Sequence, residues 1–183
     1  MEGATTASTA IASDLVARAA AGDEAAFTRI VAAHHVDMLK VSLAVCGDSH
    51  MADDAVQSAW SLAWRRLGSL KDTERLRPWL VSIAANQARD ALRRQRRRPV
   101  VELEVAADGS DLGSGDPASR PGDIDLRNAM ARLDPTDRTI VALRYVAGLD
   151  SGELGRALGM SASGTRARLA RILDRLRRDL GDA

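Results

Sequence analysis

One run, LDSGELGRALGMSASGTRARLARILDRLRRDL at residues 149–180, constrains this chain more than any other. Asp150 can cap a helix, and Glu153 stands three residues on, where a capping box needs it. The pattern predicts a short helix to Leu158, closed by Gly159. Ser161 can then cap a second, longer helix. Short helix, glycine-containing turn, longer helix is the helix-turn-helix arrangement. In the longer helix Leu169, Ile172, Leu173, Leu176 and Leu180 share one apolar face. Ser163, Gly164, Ala167, Arg171 and Asp174 point the other way, with Arg166 and Arg168 on the two shoulders. A slim outward ridge flanked by arginines can enter a major groove and pin phosphates beside it. A solvated basic helix in a bundle would carry the same charges.

By its composition the rest of the chain favours helices as well. Its 183 residues include only three Trp, one Tyr and one Phe, so any core is built from Leu, Ala, Val and Ile. The prediction is an all-α protein, with two small helical domains joined by a flexible acidic linker. Net charge is only +1, but its distribution is uneven. Residues 14–98 hold 14 basic and 10 acidic side chains, residues 99–123 hold 1 and 6, and residues 124–183 hold 11 and 8.

Residues 1–13 are expected to be a frayed tail. A short helix is predicted from Asp14 to Ala21. A long one starts at Glu24 after the break at Gly22-Asp23, carries Phe27, Ile30, Val31, Met38, Val41 and Val45, and stops at Gly47. A third runs from about His50 to Leu67, with Val56, Trp60 and Trp64 on its apolar face. Residues 68–77 read as a loop with room for one helical turn, and Pro78 as the start of a fourth helix ending in RRQRRR. Residues 99–123, rich in Asp, Gly, Ser and Pro, read as linker. Beyond them come a helix marked by Leu126, Met130 and Leu133, one opened by Asp134-Pro135 and ending at Gly148, and the helix-turn-helix.

Catalysis finds no constellation to work with. His34 and His35 are adjacent and point about 100° apart on a helix, one Cys and three His make no zinc spacing, and no phosphate-binding glycine loop is present. No cofactor is expected. Cys46, among Val41, Leu43 and Val45, reads as a packed thiol in a reducing compartment. With no signal-like start and no membrane-length apolar run, a cytoplasmic protein is expected.

Residues 89–98 carry six arginines and one aspartate in continuation of an amphipathic helix, so the charges are held in line. Held arginines neutralise several phosphates together. Ser82 and Asn86 lie on the same side and add uncharged hydrogen-bonding groups suited to exposed bases. Lys71, Arg75 and Arg77, in the preceding loop, can cover an extruded base. On the third helix Asp54, Gln57 and Ser61 form a polar stripe beside Asp53, either a docking edge for a basic protein surface or a hydrated face. Trp60, Trp64 and Trp79 could stack on bases, but their helical spacing favours core packing.

Taken together, GDEAAF (22–27), ADDAVQSAWSLAW (52–64), RPWLVSIAANQARDALRR (77–94) and LDPTDRTIVALRYVAGLDSGELGRALGMS (133–161) resemble a bacterial RNA polymerase sigma factor of the sigma-70 family, in its small extracytoplasmic-function class. The resemblance covers about Asp14 to Leu180. It implies a first domain, 14–98, equivalent to the family's region 2, and a second, 124–183, equivalent to region 4.

The resemblance also implies roles. Asp53, Asp54, Gln57 and Ser61 would dock on the clamp helices of the polymerase's largest subunit. Lys71, Arg75, Arg77, Ser82, Asn86, Arg89, Arg93 and Arg94 would open and read the −10 element of promoter DNA. Ser163, Thr165, Arg166, Arg168 and Arg171 would meet the −35 element, with Ser163 and Arg171 reading bases and Arg166 and Arg168 holding phosphates. The second domain would also rest on the flap of the second-largest subunit, and the linker would thread near the RNA exit path. An anti-sigma factor would hold the protein inactive. Two departures stand out: Ala85 replaces a common arginine, and Gly164 lies early in the reading helix. A polymerase-independent helix-turn-helix regulator is the alternative that the last domain alone would allow.

Overall fold

The computed structural model describes residues 13–97 and 121–181, and side chains from residue 124 onward in the second segment. The expected tail and most of the expected linker lie outside the described residues. Both boundaries shift where they can be compared. Helix α1 (13–20) already includes Ser13, and α5 (Pro121–Arg132) begins three residues inside the predicted linker. Proline's fixed φ suits the first turn of α5.

Asp23, after the Gly22 break, caps as the sequence suggests, and Asp48, which the sequence marks only as part of the stop after α2, also caps. Asp23 accepts from the Ala26 N–H at 3.0 Å and opens α2 (Glu24–Cys46), while Asp48 accepts from the Met51 N–H at 2.7 Å and opens α3 (Ser49–Arg66). Gly47, at φ 75°, takes the left-handed conformation that ends α2 and returns its N–H to Leu43 O at 2.7 Å. The predicted 68–77 loop is tighter than expected. It contains two 3-10 turns, Leu67–Ser69 and Thr73–Arg75, and α4 (Leu76–Arg97) starts two residues before Pro78. Pro78 still falls in the first turn, where no amide partner is lost.

Helices α2, α3 and α4 pack on one another around Ile30, Met38, Val41, Val56, Leu80 and Val81. Ala59, Ala63, Ala84 and Ala88 are fully buried between them, so the helices approach closely. Ala85 belongs to the same core, at 0 % exposure. Phe27 meets Trp60 and Trp64 edge-on, at centroid distances of 5.7 and 4.7 Å, and all three rings are half-buried. Cys46 is buried, and loss of hydration pushes its thiol up to about 12.

The second domain opens with α5. Asp134 then caps α6 (Pro135–Val141) by accepting from the Thr136 and Asp137 amides. The predicted helix to Gly148 does not continue as an α-helix. Residues Ala142–Val146 form a π turn, in which the Ala147 N–H reaches back to Ala142 O. Helices α7 (Ser151–Leu158) and α8 (Ala162–Gly181) follow. Leu133, Ile140, Ile172 and Leu176 form a small core of this domain. Leu143, Ala147, Leu149 and Leu154 pack instead into the core of the first domain. No helix among the described residues is long and apolar enough to cross a membrane.

Candidate nucleic-acid interface

The helix-turn-helix forms as its capping residues require. Asp150 accepts from the Gly152 and Glu153 amides at 2.7 and 2.8 Å, and the Glu153 carboxylate accepts from the Asp150 N–H at 2.9 Å. These bonds, led by that from the Glu153 amide, hold the Asp150 carboxyl below its ordinary value. Gly159, at φ 67°, closes α7. Ser161 accepts from the Gly164 N–H at 3.0 Å and starts α8.

Ser163, Arg166, Ala167 and Arg171 are exposed on α8, so the outward ridge is available as predicted. Two other residues of the predicted set are placed differently. Thr165 is fully buried, with its hydroxyl donating to Ser161 O at 2.9 Å; it braces the turn and offers nothing to DNA. The resemblance turns this threonine toward DNA, whereas its burial and its bond back to Ser161, just before α8, turn it inward. Arg168 is tied to α6, its Nε donating to Asp137 at 2.6 Å, with Asp134 at 3.5 Å. Arg168, Arg171, Arg175 and Arg178 line one cleft of about 340 Å³ together with Asp137 and Ile172. Leu180, expected on the apolar face, is 39 % exposed near the end of the helix.

On α4, Arg93 and Arg94 are exposed, and Arg96 and Arg97 continue the line. Ser82 is half-buried and donates to Pro78 O at 2.6 Å. Asn86 and Arg89 are half-buried. Lys71 and Arg75 are exposed in the turns before α4, and Arg75 pairs with Asp72 at 2.9 Å. Arg77 pairs with Asp37 at 2.6 Å. The predicted −10 set therefore gathers on α4 and the turns before it, but its members near the second domain are engaged. Asn86 Nδ2 donates to Ala157 O at 3.3 Å, Arg93 to Thr136 Oγ1 at 2.7 Å, and Arg77 Nη1 to Ala147 O at 2.8 Å.

The stripe on α3 is free. Asp53, Asp54, Gln57 and Ser61 are all exposed, and the Ser61 hydroxyl donates to Gln57 O within its own helix.

Two features escaped sequence reasoning. Arg138 is only 5 % exposed. Its Nη1 donates to Val45 O at 3.0 Å and Cys46 O at 3.3 Å, and its Nη2 to Ala131 O at 2.8 Å. Burial lowers its pKa. Between the two domains lies an open apolar groove of about 700 Å³, lined by Leu43, Leu126, Met130, Tyr145 and Val146, with Lys40 among the basic lining groups. Tyr145 is 58 % exposed and Val146 44 %. Exposed apolar side chains on neighbouring helices were the available signal for the groove. Nothing in the sequence around Arg138 marks it as buried.

Residues 30–98 match the family model for Sigma-70 region 2, and residues 129–178 that for Sigma-70 region 4. The chain is 33% identical over 168 residues to the RNA polymerase sigma factor CarQ of Myxococcus xanthus, covering 88% of this chain and 92% of that protein. It is 30% identical over 168 residues to the ECF RNA polymerase sigma factor SigM of Mycobacterium tuberculosis, covering 92% and 84%. Identity to the probable RNA polymerase sigma factor RfaY of Xanthomonas campestris is 34% over 170 residues; the chain spans 42% of that protein's length. Among solved structures, CnrH in complex with the cytosolic domain of CnrY superposes with a TM-score of 0.67 at 26% identity, covering 92% of this chain and 96% of that one. The sigma factor RpoE in complex with the anti-sigma factor NepR, from Bartonella quintana, shares the fold with a TM-score of 0.63.

Proposed function

Because this chain belongs to the sigma-70 family of RNA polymerase sigma factors, in its extracytoplasmic-function class, we propose that it directs core RNA polymerase to specific promoters and helps open them. The observation that carries this reading is the division of labour over three surfaces. The acid-and-amide stripe of α3 is uncovered and suits the polymerase's clamp helices. The α4 side, from Arg77 through Asn86 to Arg94, suits the −10 element, where arginines hold the backbone and Asn86 meets an exposed base. The ridge of α8 suits the −35 duplex, with Arg166 on phosphates and Ser163 and Arg171 at base edges. The second domain also rests on the polymerase flap.

The chain carries out no bond chemistry in this role and uses no cofactor. It works in the cytoplasm, where bacterial transcription takes place. An anti-sigma factor is its controlling partner: the groove between α2 and the second domain would take an apolar helix, and Lys40 favours an acidic residue on that helix. The domain match to region 2 speaks against a polymerase-independent regulator, which has no use for the α3 stripe.

The test is co-elution. Purified chain mixed with core polymerase should migrate with it on gel filtration at stoichiometric amounts. A folded chain that stays in its own peak would overturn the reading.

A further inference from the structure

The segment between α3 and α4 carries Lys71 and Arg75, which the family resemblance sets over an extruded base of the −10 element. Both side chains are exposed, so the aim of their charges is set by the backbone beneath them. Leu67 and Leu76 are buried at the two ends of that backbone, and Leu70 packs against the same core. Asp72 ties the middle to itself, accepting from the Glu74 amide at 3.1 Å and from Arg75 Nε at 2.9 Å. The Leu70 amide donates to Leu67 O, and the Arg75 and Leu76 amides to Asp72 O and Thr73 O. All these polar bonds are local. They shape each 3-10 turn but do not fix the angle of the second one, Thr73–Arg75, against the helices.

One long-range bond does. Thr73, half-buried and midway between Lys71 and Arg75, shares a hydrogen bond of 2.7 Å between its Oγ1 and Ser13 Oγ, across 60 residues of sequence. Ser13 opens α1, and α1 is well anchored. Val16 and Ala19 are buried in the core, and Leu15 packs against it. The far end of α1 is clamped to the start of α2: Arg18 Nε donates to Asp23 Oδ2 at 2.9 Å, and the Asp23 N–H to Arg18 O at 3.0 Å. A bond between two hydroxyls that water could also satisfy adds little to stability. Its consequence is geometric, since it holds the turn at one angle among several of similar energy.

We propose that Ser13 is a positioning residue for −10 recognition: through Thr73 it sets the angle of the Thr73–Arg75 turn, and with it the place where Lys71 and Arg75 meet the extruded base. Helix α1 thereby takes part in promoter choice without touching DNA. It lies outside residues 30–98 and 129–178, the two stretches that match the family models. The role rests on the function proposed above and deepens it, because base selection then depends on a helix beyond the conserved regions.

The test uses the full-length chain with core polymerase and a promoter library randomised at the −10 element. Ser13→Ala and Thr73→Val each delete one hydroxyl. Each is expected to reduce the preference for the favoured −10 bases about three- to fivefold, the effect of one hydrogen bond, with −35 preference unchanged. The double variant should lose no more than either single one, because both remove the same bond. Ser13→Thr keeps the hydroxyl and should restore the parent's preference. Amide exchange of the free chain needs no promoter: the Arg75 and Leu76 amides should exchange faster in both deletions and at the parent's rate in Ser13→Thr. Circular dichroism melts separate a loosened turn from an unfolded chain, and two independent deletions cover the case in which one fails to fold. Faster exchange with unchanged −10 preference, unchanged exchange in both deletions, or losses that add in the double variant would overturn the proposal. A parent chain that starts at no specific site while the exchange differences persist would sink the function, and the −10 role with it, and leave only the tether of the turn standing.

Discussion

Arg168 Nε donates to Asp137 Oδ1 across 2.6 Å, so a shoulder arginine of the reading helix is braced by a carboxylate of α6. Burial, and next the neighbouring Asp134, raise the Asp137 carboxyl. Asp134 itself is lowered: its own burial opposes ionisation, but hydrogen bonds from Asp137 and the Thr136 amide outweigh that. The bond spends part of the charge of Arg168 inside the protein. Asp137→Asn should release it for a phosphate, steepening the slope of log K against log salt by about one unit on −35 duplex DNA. An unchanged slope would mean that Arg168 already contacts DNA or never does. Because the Asp137 carboxyl is raised, the same release should occur on acidification at a higher pH than an ordinary aspartate would give.

Arg166 and Arg171 should separate under substitution. Arg166 is exposed on the flank and Arg171 on the ridge. Arg166→Ala is expected to weaken binding evenly across −35 variants. Arg171→Ala should cost about 1–3 kcal/mol on the preferred sequence and relax the choice of base. Binding measured across a panel of single-base −35 variants distinguishes the two patterns; a change of preference with Arg166→Ala would reverse the assignment.

The two glycines of the motif should respond differently to alanine. A Cβ on Gly155 would lie 2.5 Å from Met160 O, a backbone atom of the turn that donates its own amide to Gly155 O. Gly155→Ala should therefore destabilise the motif by about 1–3 kcal/mol. A Cβ on Gly164 would meet only Ser161 Oγ, at 3.0 Å. Alanine there improves helix propensity by up to about 1 kcal/mol, and disturbing the Ser161 cap offsets it by about the same amount. Thermal melts should place Gly164→Ala near the parent and Gly155→Ala well below it.

The capping box should make the helix-turn-helix acid-labile. The folded-state pKa of Asp150 is depressed, first by the Glu153 amide. A depressed carboxyl contributes stability that is fully present above its unfolded pKa of about 4 and is lost as pH falls through the folded value. Amide exchange of α7 should accelerate on acidification below about pH 4. Asp150→Asn, which still caps, should remove that part of the pH dependence. A profile identical in the two proteins would assign the acid sensitivity elsewhere.

What could be read in advance was local. Asp23, Asp134 and Asp150 each satisfy amides two or three residues away, so their spacing alone announced those helix starts. The apolar periods of α2, α3 and α4 likewise encode which faces meet. Thr165 enters the −35 set through the resemblance alone; the helical period leaves it off the outward ridge, in keeping with its burial. Arg138 and Asn86 were beyond reach for a different reason. Their partners, Val45 O and Ala157 O, lie 93 and 71 residues away and are backbone atoms, which carry no residue-specific signature. The π turn at Ala142–Val146 is similar, since its sequence is a good α-helix and its geometry answers to packing against the first domain.

The central claim is initiation at specific promoters through a polymerase-bound chain. Transcription from a promoter library by core RNA polymerase, with 5′ ends sequenced, tests it most directly. The purified chain should produce discrete start sites preceded by shared −35 and −10 sequences. Asp54→Lys, at an exposed position of α3, should reduce those transcripts about tenfold or more by setting like charges against the polymerase. A folded chain that yields no specific starts, or an Asp54→Lys variant that initiates as well as its parent, would contradict the account.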